Sequence, residues 1–325
     1  MLFSIIIPAF NCEETIERTV DSIAVSGIKE YEILIIDDGS TDKTGSICDS
    51  LAKKTPTVRC IHQANEGVSA ARNCGIKNSH GDYLIFFDAD DYVESNSFCN
   101  AVKIIEAEHP DILLFGMFFD YYSRGKIYRR DSYIPSCSGM LSLEQIKQYF
   151  SSLYLCNALT PVWNKIFSKE LIIDTDTHFN TDMIVLEDFL FTLVALSKCD
   201  KVYCLQEAIY HYRQPEDEKH AYNRLCRIND LPEYLAPFSR QIELLGVSDS
   251  DKFMDNLYKM LLEQRLYYAS YEDICNVMTQ HMNSGYGGIN IENRPFVIFL
   301  RNKKSHLRHR IAVIVKTLIS RLRRG

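Results

Sequence analysis

Three carboxylates fall within four residues, at Asp88, Asp90 and Asp91, directly after the apolar and aromatic run Tyr83–Phe87. In extended backbone Asp88 and Asp90 point the same way, about 7 Å apart. Carboxylates crowded at the end of a buried strand repel one another. A hard divalent cation relieves that repulsion, and magnesium, manganese and calcium favour such oxygen ligands. An acidic turn capping the next helix would use the same residues, because aspartate is common at helix starts. The triplet alone leaves both readings open.

The elements around it narrow the choice. Tyr83–Phe87 is too short for a typical helix and reads as a strand buried on both faces. Upstream, strands and helices alternate as in a parallel α/β sheet. Ser4–Pro8 is a strand, and Asn11 is an N-cap, with Glu13 and Glu14, for a helix running to about Val25. Tyr31–Ile36 and Val58–His62 are strands; about Lys43–Lys54 and Gly67 to Lys77 are helices. Ligands of open α/β sheets bind outside the carboxyl ends of the strands. Asp37 and Asp38, which end the second strand, are therefore expected to share a crevice with Asp88, Asp90 and Asp91.

Beyond the triplet, Asp111–Phe119 reads as a strand and Asp120 to Arg130 as an exposed hairpin or loop. Leu143–Leu155 has helical periodicity, and Glu187 opens a helix reaching about Leu196. Lys201–Leu205 and Ala208–Arg213 read as short strands around Gln206 and Glu207. Residues 221–283 are mostly helical in pattern. Three regions are expected: 1–220, a helical 221–300, and a tail, 301–325.

Bulk properties set limits. The chain has 325 residues, 46% hydrophobic and 24% charged, as in ordinary globular proteins. Eleven scattered cysteines without a C-x-x-C pair read as reduced thiols in the cytoplasm rather than a disulfide framework. Leu2 to Ile7 resembles a strand more than a leader, and no apolar run approaches the roughly 20 residues that span a bilayer. The net charge of −7 conceals an asymmetry: residues 301–325 hold nine Lys or Arg and no Asp or Glu. Removing those nine leaves 27 basic against 43 acidic residues, a body of about −16. Such a body is not a nucleic-acid-binding profile.

Six blocks, in order, resemble the family 2 glycosyltransferases over roughly the first two-thirds of the chain. They are Ser4 to Asn11, Ile35 to Asp42, Asn65 to Asn73, Phe87 to Asp91, Val162 to Phe167, and Leu186 to Asp188. The resemblance implies a GT-A fold: a Rossmann-like, mostly parallel α/β sheet flanked by helices, here with a helical C-terminal extension. Residues 1–220 would form its nucleotide-sugar-binding and catalytic domain. It also implies a nucleotide-sugar donor, a divalent metal (Mn2+ or Mg2+) and an inverting displacement.

On the donor side, the matching positions are Pro8, Phe10, Asp37, Asp38, Gly67, Arg72, Asp88 and Ala89. Phe10 stacks the base or is simply core. Asp38 accepts the uracil N3–H, with Asp37 second to it; an Asx turn is the alternative. Gly67 permits the tight turn, and Arg72 reaches the diphosphate. Asp88 takes the ribose side, and Asp90 is the metal ligand with Asp91 its rival. Asp188, assisted by Glu187, is the general base on the acceptor hydroxyl, although an acidic pair at a helix start also satisfies the macrodipole. His211 is the candidate to complete the metal shell.

The acceptor is expected to be a glycan or a lipid-linked glycan of cell-surface polysaccharide synthesis. The tail, basic around the apolar segment Ile311 to Val315, suits contact with an anionic membrane, which places the protein at the inner face of the cytoplasmic membrane. Two alternatives differ in class: a catalytically silent nucleotide-sugar-binding scaffold, and a nucleotidyltransferase on a related fold. The latter needs a basic, glycine-rich loop after the first strand, and Pro8-Ala9-Phe10-Asn11 is not one.

Overall fold

The computed structural model describes residues 1–214, 228 and 230–268, with the side chains of 262–268 left out. The described residues fall into two compact units. One is made of 1–214 with Arg240–Ser248, and the other of the described parts of Glu218–Ser239 and Asp249–Gly325. The junction expected near residue 220 and the tail 301–325 lie outside the described residues.

The first unit is built on a ten-stranded sheet. Its first half is β1 (Phe3–Ala9), β2 (Tyr31–Asp38), β3 (Val58–Gln63) and β4 (Tyr83–Phe86), in the order β3-β2-β1-β4 and all parallel. Runs such as Ile5-Ile6-Ile7 and Ile33 to Ile36 are apolar at every position because helices cover both faces. The helices between them are α1 (Ile16–Ala24), α2 (Thr44–Lys54) and α3 (Val68–Asn78). In α1, Ile16, Val20 and Ile23 recur at helical spacing and are buried, each worth roughly 1.5–3 kcal/mol.

The second half of the sheet is mixed. After the two-residue β5 (Tyr92–Val93) and α4 (Cys99–Glu108) come β6 (Ile112–Ser123), β7 (Lys126–Tyr133) and β8 (Gly139–Leu141). Then follow α5 (Leu143–Leu155), β9 (Lys165–Ser168), α6 (Lys169–Asp174), α7 (Glu187–Leu196) and β10 (Val202–Gln214). Strand β9 lies antiparallel between β4 and β6, and β10 runs parallel to β6. The C-terminal helices are α8 (Leu231–Leu245) and α9 (Ser250–Tyr268).

Three local expectations change. Asn11 is not an N-cap. It sits at φ +49°, and its Oδ1 accepts the Thr41 N–H at 2.8 Å, so it ties two loops together while α1 starts at Ile16. The acidic triplet does not extend β4. It turns, with the Asp91 N–H donating to the Asp88 carbonyl at 3.3 Å, and its side chains diverge. The two short strands expected around Gln206 and Glu207 are one strand, β10, whose pairing with β6 shifts register on either side of Ala208.

Candidate active site

The carboxyl ends of β1, β2 and β4 face one side of the sheet, and the Asp88–Asp91 turn stands there. Its backbone is anchored from two directions. On α1, Thr19 Oγ1 donates to the carbonyls of Ala89 and Asp91, and Arg18 reaches the Asp90 carbonyl at 2.5 Å. On β10, the Tyr210 hydroxyl accepts the Asp88 N–H at 3.0 Å and donates to Asp91 Oδ2 at 2.7 Å. Asp91 Oδ1 accepts the Arg213 N–H at 2.7 Å, and its side chain is fully enclosed. Burial, then the charges of Asp90 and Asp88, hold the Asp91 carboxyl well above the usual carboxylate range.

Asp90 is the opposite case. It faces solvent, and among the described residues no other residue donates a hydrogen bond to its carboxylate. Although accessible, it is crowded by protein. That desolvation, followed by the charge of Asp88, pushes it up to about 6. The turn therefore divides its carboxylates: Asp91 holds the structure together, and Asp90 is available.

Arg72 links this turn to the second acidic pair. From α3, where it is 3% exposed, its Nη2 donates to Asp88 Oδ1 at 3.1 Å and its Nη1 to Asp188 Oδ1 at 2.5 Å. Glu187 Oε1 lies 3.7 Å from Nη1. Asp188 and Glu187 stand in the first turn of α7, which Leu186 enters at φ +60°. An aromatic stack fixes that helix: Phe191 lies 4.1 Å from Phe179 and 5.4 Å from Phe167, and Phe86 of β4 lies 5.3 Å from Phe179. The Arg72 guanidinium sits 5.3 Å over the Phe179 ring.

The Asp188 side chain keeps 19% exposure but is densely surrounded. Burial is the largest influence on it. Arg72 pulls its carboxyl down while Glu187 and Asp88 push it up, and the balance raises it to about 7. A carboxylate near neutrality is suited to accept a proton. Lys165, fully buried, donates to Asn164 Oδ1 at 2.7 Å and to the Pro161 carbonyl, and burial holds its amine well below the ordinary lysine range.

The second strand's carboxylates are wired into the loops. Asp38 Oδ1 accepts from Gln63 Nε2 at 2.8 Å and the Glu66 N–H at 2.9 Å, and its Oδ2 accepts the Gly67 N–H at 2.8 Å. Asp38 thus fixes the turn from which α3 carries Arg72. Gly67 is at φ +90°, where an L side chain is strained although nothing crowds the position. Asp37 accepts from the Ser40 N–H at 3.1 Å and from His62 at 2.8 Å. Burial works to raise the Asp37 carboxyl, but these bonds hold it below the ordinary value. Pro8 is half-buried in β1, and Phe10, just past it, leaves 49% of its surface exposed, as a stacking platform requires and a core residue does not.

His211 pairs in register with Tyr92 and is sandwiched between Tyr92 at 4.5 Å and Phe118 at 4.6 Å. Its Nδ1 lies 3.0 Å from Asp120 Oδ2. Asp120 also accepts from the Tyr92 hydroxyl and from Arg130 at 2.5 and 2.6 Å. Burial lowers the His211 imidazole more than Asp120 raises it, so the ring is neutral with its proton on Nδ1. Nε2 is then a buried lone pair with no hydrogen bond, 3.5 Å from Glu94 Oε1. Asp90 and the unpaired His211 nitrogen are donor types that Mn2+ or Mg2+ accepts, although among the described residues they do not close with a third such side chain into a cluster.

Two supports escape a sequence reading. Tyr210, fully buried, braces the acidic turn, and Trp163 stacks on Tyr210 at 4.5 Å and on Tyr212 at 5.2 Å. The alternation of Tyr210 and Tyr212 along one strand is the available signal. A buried tyrosine needs a partner for its hydroxyl, and here that partner is the turn.

A family model, Glycosyl transferase family 2, matches residues 4–170. The uncharacterized glycosyltransferase EpsJ of Bacillus subtilis (strain 168) is 32% identical over 216 residues, 66% of this chain and 61% of that protein. The poly(ribitol-phosphate) beta-N-acetylglucosaminyltransferase TarS of Staphylococcus aureus (strain Mu50) is 24% identical over 83% of this chain and 45% of its own length. The chain thus spans less than two thirds of either relative. The crystal structure of S. aureus TarS 1-349 with UDP-GlcNAc superposes with a TM-score of 0.62 at 21% identity, covering 86% of this chain and 79% of that one. A Pyrobaculum calidifontis mannosyltransferase in complex with GDP-Man and Mn2+ gives 0.52 at 14% identity, over 96% of this chain and 85% of that one. The fold is GT-A, as the sequence resemblance implied.

Proposed function

The chain belongs to glycosyl transferase family 2, and from that premise we propose that it moves a sugar, with inversion, from a nucleoside-diphosphate donor to a hydroxyl of a glycan or lipid-linked acceptor. The observation that carries this reading is the single arginine between two acidic centres: Arg72 holds Asp88 of the donor turn and Asp188 of α7 at 3.1 and 2.5 Å. A base and a leaving-group seat held that close can act on one substrate pair.

In this reading Phe10 stacks the base and Asp38, with Asp37, orders the loop beside it, keeping a lone pair for the uracil N3–H. UDP is the preferred nucleotide, in keeping with the TarS complex of the same fold. Gly67 and Ala89 let the backbone approach the donor. Asp188, with Glu187 beside it, takes the acceptor's proton as the oxygen attacks the anomeric carbon. The anomeric C–O bond breaks, and its electron pair leaves with the diphosphate in line. Asp90 is the chosen metal ligand and His211 its partner, since Asp91 is spent on Tyr210 and Arg213. A divalent metal bound there supplies Lewis-acid stabilisation of the departing diphosphate. Arg72 adds a planar guanidinium to the same oxygens.

The test is a panel of nucleotide sugars with Mn2+ or Mg2+, read by nucleoside-diphosphate release. Asp188→Asn is expected to abolish transfer while sparing metal-dependent donor binding; unchanged turnover refutes the assigned base. The further reading, in polysaccharide synthesis at the inner face of the cytoplasmic membrane, rests on the basic tail 301–325. It predicts that the protein floats with anionic liposomes and that deleting 301–325 prevents this. Equal flotation of both forms rules it out. Among the described residues no helix is long and apolar enough to cross a membrane.

A further inference from the structure

A second group of ligand-type side chains lies on the edge strand of the sheet, separated from β4 and its acidic turn by β2 and β1. Cys60 and His62 are two residues apart on β3, so they share one face. Asp49 of α2 meets them there: one donor atom from each of the three lies within 4.8 Å of the others. His62 Nε2 is 3.6 Å from Cys60 Sγ and 3.1 Å from Asp49 Oδ1. Tetrahedral zinc, with bonds of about 2.3 Å to sulfur and about 2.0–2.1 Å to nitrogen and oxygen, sets these separations at about 3.6 and 3.4 Å. The side chains need only small rotations to reach it.

The surroundings are those of a ligating histidine. His62 Nδ1 lies 2.8 Å from Asp37 Oδ2, a carboxylate that is 6% exposed and itself held by the Ser40 N–H. That bond fixes the ring as in metal-bound imidazoles, but Nε2 faces Asp49, so two carboxylates raise the imidazole to about 9 and an ion has to replace the Nε2 proton. The helix can close on this pair because residue 45 is glycine. A Cβ there would stand 2.8 Å from Asp37 Oδ2 and 3.4 Å from His62 Cε1. His62 and Asp49 keep 47% and 53% of their side chains exposed, so an ion and a water have access.

We propose that Cys60, His62 and Asp49 bind one Zn2+, with water as the fourth ligand. A thiolate selects zinc over magnesium and manganese, which separates this site chemically from the one assigned to Asp90 and His211. The competing account is that His62 merely clamps Asp37 and Asp49 by hydrogen bonds.

Co2+ titration of the full chain decides between them, because thiolate-to-cobalt charge transfer absorbs in the near ultraviolet. Zn2+ competition against a chromophoric chelator gives the affinity. The band is expected at one equivalent, absent in Cys60→Ser and intact in Asp90→Asn. His62→Gln and Asp49→Asn are expected to weaken Zn2+ about tenfold or more. No band, a band that survives Cys60→Ser, or equal Zn2+ affinity in His62→Gln and the natural chain overturns the proposal. Should Cys60→Ser fail to fold, as judged by circular dichroism, the two other variants carry the decision, since both residues are half-exposed.

Discussion

Replacing Asp188 with asparagine removes a charge from a site that resists it, and the consequence for stability is calculable without any substrate. Its carboxyl is raised from 3.8 to about 7, with burial first among the causes and Arg72 opposing it. A carboxyl whose folded value lies above the unfolded one stabilises the fold fully only below the unfolded value. That stability is lost progressively as pH rises from 3.8 and is gone once pH passes about 7. At about 1.4 kcal/mol per unit, some three units put the cost of ionised Asp188 at about 4 kcal/mol by pH 8 and about 2 kcal/mol at pH 5.5. Solvent reaching the 19% of the side chain that is exposed makes these ceilings. Asparagine resembles the neutral form and does not titrate. Urea unfolding at pH 8 should therefore find Asp188→Asn more stable by about 2–4 kcal/mol, a gain that halves by pH 5.5. Transfer should fall about 10²–10⁴-fold in the same protein. If Asp188→Asn is no more stable than the natural chain at pH 8, or the difference ignores pH, then Arg72 holds Asp188 as an ordinary ion pair and the case for it as a base fails.

The neighbouring carboxylates should separate cleanly. Asp90→Ala is expected to raise the urea midpoint modestly at pH 8, since its carboxyl is held up to about 6, while weakening Mn2+ binding, followed by the electron spin resonance of the ion. Asp91→Ala strands the Tyr210 hydroxyl and the Arg213 N–H inside the protein and should cost about 1–3 kcal/mol for each group left unpaired. Tyr210→Phe takes the acceptor from the Asp88 N–H and the donor from Asp91. It should lower stability by about 1–3 kcal/mol in the same assay, with a parallel fall in donor affinity. Phe10→Ala, at a residue 49% exposed, should weaken UDP by about 1–3 kcal/mol in calorimetry without shifting thermal unfolding. Equal UDP affinity would assign Phe10 no part in base stacking.

What the sequence made legible was local. Leu143–Leu155 and Glu187–Leu196 have the periodicity and the acidic starts of helices, and α5 and α7 occupy those residues. Strand β9 was not legible. It is four residues long, includes the buried Lys165, and owes its place to antiparallel neighbours on β4 and β6 far away in sequence. Asn11 shows the same limit in reverse: its local chemistry suits a cap, but a loop 30 residues on claimed its side chain. At the site, residue types pointed to carboxylates, an arginine and a histidine, yet not to their partners. Spacing cannot foretell that Asp38 clamps residues 63–67, or that Arg72 meets a carboxylate 116 positions later.

That last contact gives the arrangement its logic. Arg72 is one buried cation serving Asp88, Glu187 and Asp188, and its Nε has no hydrogen-bond partner. A guanidinium about 4 Å from a carboxylate, at an effective dielectric constant near 20, attracts it by about 4 kcal/mol, equivalent to some three pKa units. Any donor oxygen that draws Arg72 toward the diphosphate weakens this pull on Asp188 and raises its proton affinity. The base then strengthens when the leaving group is seated and stays damped when it is not. Arg72→Gln removes the pull permanently, so the acid limb of kcat/KM for transfer should move up from about 7 by a unit or more, as activity depends on ionised Asp188. A limb that stays in place would mean that the two acidic centres share an arginine without sharing its charge.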